Sequence, residues 1–183
     1  VYTGGFNAEY GGRISSIMDI NTIDGNKKNL SGKVSANTFG SKIFLEGPVT
    51  KGKSSFIVSA KNSYLDKTSN YIYKDPILFF DDKGLPYSYF DLYGKLTFTS
   101  DNGSKINLFG FNFIDEVDYN NISKLNWNSS GIGSKFILIP GSSPVLIEGN
   151  FAYSSYNIFL DENSLPTRAV SYTHLTLPTR RFV

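Results

Sequence analysis

"SSFIVSAKNSY", Ser54 to Tyr64, decides the fold. Phe56, Val58, Ala60 and Tyr64 hold the even positions and are apolar or aromatic, while Ser59, Lys61 and Ser63 hold odd positions and are polar. Side chains of a β-strand point alternately to opposite faces, so a two-residue period predicts a strand with one apolar and one polar face. The period recurs along the chain. In "FDLYGKLTFTS", Leu92, Gly94, Leu96 and Phe98 oppose Asp91, Lys95, Thr97 and Thr99. In "LSGKVSANT", Leu30, Gly32, Val34 and Ala36 oppose Ser31, Lys33, Ser35 and Asn37. Val145, Ile147, Gly149, Phe151 and Tyr153 oppose Glu148, Asn150 and Ser154. Lys105 to Ile114 is mixed, with Phe109, Phe111 and Phe113 on one side and Ile106, Leu108 and Ile114 on the other.

Composition agrees with an all-β chain. Its 183 residues hold 15 Phe, 12 Tyr and 17 Gly, a supply of strand formers and turn formers. With 18 Lys+Arg against 16 Asp+Glu, the charge is too balanced for a nucleic-acid binder. There is no cysteine, which excludes a disulfide scaffold and a thiolate metal site. No apolar run reaches the length of a transmembrane helix. Neither a signal peptide nor an initiator Met opens the chain, so it is either trimmed and cytoplasmic or an internal fragment.

Tight turns are expected at "TKGKS" (Thr50 to Ser54), "SDNGS" (Ser100 to Ser104) and "PGSSP" (Pro140 to Pro144), with Asn102-Gly103 the strongest hairpin signal. About seven strands follow, at 29–39, 41–49, 54–65, 88–100, 104–118, 122–139 and 145–160. The tight turns then share one edge of the sheet. A long excursion from Asp66 to Ser88 and a shorter link near Asp118 to Asn121 fall on the other. Long strands with one apolar face, joined in this way, predict a partial antiparallel outer-membrane β-barrel with the polar face toward a wet lumen. Tyr64, Tyr89, Tyr153 and Tyr156 are expected in an aromatic girdle. The soluble rival is a β-sandwich, whose strands also alternate but usually run shorter.

"VSYTHLTLPT", Val170 to Thr179, breaks the Ser/Asn/Tyr texture. It resembles the translated read-through of a transposase-type sequencing adapter, so residues 169–183 are set apart as non-native. The only histidine, His174, lies in it, which leaves residues 1–168 without His or Cys and without the usual parts of triads or zinc sites.

"GGFNAEYGGRISSIMDINTIDGN" and "SGKVSANTFGSKIFLEGPVTKGKSSFIVSAKNSYLD" carry a resemblance. The chain resembles the TonB-dependent outer-membrane receptors, in particular the Bacteroidetes-type branch with a carboxypeptidase-regulatory-like domain. The resemblance is strongest from Gly4 to Asp66, is one of texture from Tyr71 to Asp161, and is absent after Ala169. It implies that residues 1–27 end a plug domain, with Ile17 to Thr22 its closing strand, and that 28–168 are the first barrel strands. "DGNKK" becomes the crossing between them. The partner-binding box and most of the plug are expected before Val1, and further strands after the adapter. The implied activity is import of a siderophore, cobalamin, peptide or glycan across the outer membrane of a Gram-negative bacterium. Implied partners are an inner-membrane energy-transducing protein of the TonB type, outer-membrane lipid and a surface lipoprotein, with no nucleic acid, cofactor, metal or catalytic residue.

The resemblance marks Gly11, Gly12 and Arg13 as the plug–barrel contact, with Glu46 as the partner of Arg13. Glu46 is chosen because it shares a face with Lys42 and not with Ile43 and Leu45; a solvated arginine beside a structural glutamate is the plainer alternative. Tyr71, Tyr73, Asp75, Phe79, Phe80, Asp81 and Asp82 form an aromatic, acidic loop suited to stacking on a sugar or holding an ion, or else a solvated loop. "DEVD", Asp115 to Asp118, fits no calcium-loop spacing. Two other functions stay open: a plugless channel or adhesin barrel, and a soluble carbohydrate-active protein with paired carboxylates. Adjacent Asp115 and Glu116 point to opposite faces of a strand and do not make such a pair unaided.

Overall fold

The computed structural model describes residue 16 and residues 20–72, 86–119, 123–141, 145–162 and 165–176. Eight strands form one sheet: β1 Ser31–Ala36, β2 Gly40–Thr50, β3 Ser54–Ser63, β4 Tyr87–Thr99, β5 Lys105–Tyr119, β6 Ser123–Leu138, β7 Ile147–Glu162 and β8 Leu165–Thr176. Each strand pairs antiparallel with the next, in the order β1 to β8, so the sheet is an up-and-down meander. The β2–β3, β4–β5 and β6–β7 connections lie at one end, as the turn residues indicate. Gly103 supplies the positive φ that the β4–β5 turn demands (86°), and its N–H donates to the Ser100 carbonyl.

Two elements differ from the sequence expectation. Leu65–Ile72 is a helix, α1, inside the expected excursion; the Tyr64 carbonyl receives the Lys67 and Thr68 amides that open it. Among the described residues the strand count is eight, because β8 runs through the adapter-like residues. The open edge of β7 offers a ladder to any extended neighbour, and residues 165–176 take it. β8 does not continue the facial pattern: Ser171 and Thr173 lie on the face of Tyr153, while Val170 and Tyr172 lie on the face of Tyr156.

Register sorts the sheet into two faces. Paired residues share a face, so one face carries Val34, Ile43, Leu45, Phe56, Val58, Phe90, Leu92, Leu96, Phe98, Ile106 and Leu108, then Ile132, Phe136, Ile147, Phe151 and Tyr153; on β5 to β7 it also carries Asn112, Asn128, Ser130, Ser134, Ser155 and Asn157. Most of these apolar side chains are exposed; Ile132 reaches 63% and Val34 73%. On β1 to β7 the charged residues of this face are Glu116, Asp118, Lys124 and Asp161, all at the end opposite the tight turns. There Lys124 pairs with Glu116 at 2.7 Å.

The other face is mainly polar on β1 to β4, carries Phe109, Phe111, Phe113, Val117 and Trp127 on β5 and β6, and is where most of the burial is found. Among the described residues the buried hydrophobic side chain is Ile57, and the buried polar ones include Ser55, Ser63, Lys95 and Thr97. All five belong to this face; Ser54, also buried and next to the β2–β3 turn, belongs to the other. A soluble chain of this length ordinarily hides a large apolar core. Here the apolar side chains are outside and the most buried ones are polar.

The aromatic girdle is corrected by the same register. Tyr89 and Tyr156 lie on the polar face, because each falls in the odd–even phase opposite to the exposed apolar set. Tyr64 follows β3, and its hydroxyl donates to the carbonyls of Asn37 and Gly40. Of the four tyrosines, Tyr153 alone is on the apolar face.

Candidate functional site on the polar face

Residues 20–29 run across the polar face before β1 begins. Residues 20–22, the described end of the expected closing strand, have no regular structure. The Thr22 carbonyl is held by the Lys95 side chain of the sheet instead of by a ladder. Asp24 is the centre of the clasp. Its Oδ1 lies 3.0 Å from the Lys95 ammonium, and its Oδ2 pairs with Lys105. The Thr97 hydroxyl is 3.3 Å from Oδ1 and 3.0 Å from the Asn107 side-chain oxygen. Lys95, Thr97 and Lys105 come together because β4 and β5 pair Lys95 with Phe109, Thr97 with Asn107 and Thr99 with Lys105, on one face.

Lys95 does more than balance a charge. It donates to the carbonyls of Thr22 (2.9 Å) and Ile23 (3.0 Å), so one ammonium holds two successive peptide groups and the next carboxylate. The Lys95 side chain is 5% exposed, which makes this a dehydrated, charge-assisted contact. Burial of Asp24 opposes its ionisation, but hydrogen bonds from Lys105 and Lys95, with their charges, outweigh it and hold the carboxyl below its usual range.

Further contacts fasten the rest of this strap. The Tyr93 hydroxyl donates to Thr22 Oγ1 at 2.9 Å, and Lys27 donates to Thr99 Oγ1 at 2.7 Å. The Gly52 amide donates to the Lys27 carbonyl at 3.0 Å. Gly25 passes so close to β3 that a Cβ there would stand 2.3 Å from the Phe56 carbonyl oxygen. Beside the strap is a groove of about 420 Å³, lined by residues that include Asp24, Lys95, Lys105, Phe109 and Lys135.

Glu46 shares the polar face with Lys42, as the alternation requires. It accepts the Asn26 amide at 3.1 Å, so it grips the strap two residues beyond Asp24. Its expected partner Arg13, with Gly11 and Gly12, lies outside the described residues. So do Tyr73, Asp75, Phe79, Phe80, Asp81 and Asp82. Tyr71 falls in α1. Asp24, Lys95, Thr97 and Lys105 went unmarked in the sequence. The usable signal was Lys95 and Thr97 in the polar phase of β4; nothing local pointed to Asp24 as their partner. Among the described residues no group of three His, Cys, Asp or Glu side chains is placed to hold a metal. Comparison with known protein families, characterised proteins and solved structures gives no match to this chain.

Proposed function

We propose that this chain is part of a TonB-dependent outer-membrane receptor: the last residues of a plug followed by the first strands of its barrel. One observation carries the reading, the exposed and largely apolar face opposed to a more polar face where most of the burial lies. That is the inside-out arrangement of a barrel wall between lipid and a wet lumen. The dimensions agree. Phe90 to Phe98 spans eight residue steps, about 27 Å along the strand, or roughly 21 Å of height at a 40° tilt. The lipid-facing band of such barrels is about 25 Å tall. Charges on the apolar face begin only above this band.

The strap supports the plug part of the reading over a plugless channel. A segment that enters β1 from the polar face, tied by side-chain contacts instead of a ladder, joins the wall to whatever precedes it inside the lumen. Import then proceeds by displacement of the plug once an external ligand has bound, driven from the inner membrane. The uninterrupted gene tests this directly. It is expected to encode a plug upstream of this segment and further alternating strands downstream. A gene with no plug ahead of the strap would favour a channel or adhesin.

A further inference from the structure

A second feature of the polar face lies away from the strap, toward the end opposite the tight turns. Tyr87, Phe113, Asp115, Val117, Trp127, Ser129 and Tyr156 line an open cleft of about 360 Å³. The ladder explains the grouping: Tyr89, Asp115, Trp127 and Ile158 fall in one row, and Asp91, Phe113, Ser129 and Tyr156 in the next. The Tyr87 hydroxyl donates to Asp115 Oδ1 at 3.0 Å and so steadies the carboxylate against an aromatic wall. Phe113 is stacked on Phe111, with centroids 4.9 Å apart.

The electrostatics of this lining are one-sided. Among the described residues it holds four aromatic rings and one carboxylate, with no lysine or arginine. The described cations nearest by register are Lys61, which is paired with Asp91 at 3.4 Å in the row of Phe113 and Ser129, and Arg168, on β8 in the row of Val117; neither lines the cleft. An anion would meet the carboxylate with no compensating charge. A hard divalent cation requires several oxygen ligands, and one carboxylate is too few. An organic cation meets both features at once: ring faces attract it through their quadrupoles, and the carboxylate supplies the counter-charge.

We propose that this cleft binds a small organic cation, an alkylammonium or guanidinium group, with Asp115 as counter-ion and Trp127, Phe113 and Tyr156 as its aromatic wall. The proposal rests on the ladder geometry and not on the import reading, so either can fail alone. Trp127 is the only tryptophan of the chain and reports on the site directly. The full chain, folded in detergent micelles, is titrated with tetramethylammonium chloride at constant ionic strength, with sodium chloride and methyl glucoside as comparisons. A saturable change in tryptophan emission with tetramethylammonium alone is expected. Asp115→Asn is expected to weaken it at least tenfold. Ser129→Lys, which puts a cation in the cleft and leaves the Tyr87–Asp115 pair in place, is expected to abolish it; it serves if Asp115→Asn does not fold. No saturable change, an unaltered response in either folded variant, or a stronger response to the neutral sugar would overturn the proposal.

Discussion

Replacing Asp24 by Asn keeps the size of the side chain and removes its charge. The Lys95 side chain is 5% exposed, and after the change it keeps the Thr22 and Ile23 carbonyls but has no counter-ion. Removing one partner of a buried pair costs about 3–5 kcal/mol. Asp24 is 28% exposed and three hydrogen bonds from Lys95, to the Thr22 carbonyl and hydroxyl and the Ile23 carbonyl, survive, which puts the loss at the low end, about 3 kcal/mol. The contact to Lys105, whose side chain is 33% exposed, adds under about 1 kcal/mol. At about 1.36 kcal/mol per decade, a loss of about 3 kcal/mol shifts the opening equilibrium of the strap about 150-fold. Native-state hydrogen exchange reads this locally. The Asn26 amide, bonded to Glu46, and the Gly52 amide, bonded to the Lys27 carbonyl, are the reporters. Both are expected to lose about 150-fold in protection while the β4–β5 ladder keeps its own. Unchanged protection at both amides, or an equal loss throughout β4 and β5, would refute the clasp.

Acid should act on the same contact. The folded Asp24 carboxyl titrates below 3.8, its ordinary value, so its contribution is complete above that pH and is lost as pH falls through the lower folded value. Amide chemical shifts of residues 22–27 are expected to hold from neutral pH to about 4 and to move toward a released strap below it; release on raising the pH from 5 to 8 would contradict the assignment. Gly25→Ala drives a Cβ into the Phe56 carbonyl and should cost roughly 1–3 kcal/mol of strap protection, whereas Gly141→Ala, with nothing within 4 Å, should leave it unchanged. Val58→Arg and Ser59→Arg separate the two faces of β3. Folding into lipid vesicles, followed by the heat-modifiable band on a gel, should lose about 2–4 kcal/mol for the first and little for the second. Equal losses would show that neither face meets lipid.

The meander was legible because its code is local. Alternation in "SSFIVSAKNSY" and "FDLYGKLTFTS" sets which face each side chain takes, and Asn102-Gly103 sets a turn within four residues. Strand order then follows from short connections, since neighbours in sequence pair in space. The strap was only partly legible. "DGNKK" was readable as a crossing into β1, but Asp24 meets Lys95 and Lys105 across more than seventy residues, and no spacing rule encodes that meeting. Glu46 was placed on its face correctly by alternation, and the Asn26 amide it holds is a backbone group that no side-chain pattern reveals. The girdle failed for a different reason: counting tyrosines near strand ends ignores phase, and Tyr89 and Tyr156 are one residue out of it. α1 was missed because Leu65 to Ile72 is one short helical stretch inside a segment whose Tyr, Asp and Pro content reads as loop.

The apolar face toward lipid is the central claim, and the absence of native cysteine makes it directly measurable. Single cysteines placed in turn from Phe90 to Phe98 on β4, each carrying a nitroxide in the vesicle-folded chain, report collision with oxygen, which partitions into lipid, and with a polar nickel chelate, which stays in water. The expected result is a two-residue alternation: oxygen dominates at Phe90, Leu92, Leu96 and Phe98, and the nickel-to-oxygen ratio rises at Asp91 and Tyr93, while Lys95 and Thr97, buried beneath the strap, are shielded from the chelate. Nickel access at every position, or no alternation, would contradict a wall between lipid and lumen.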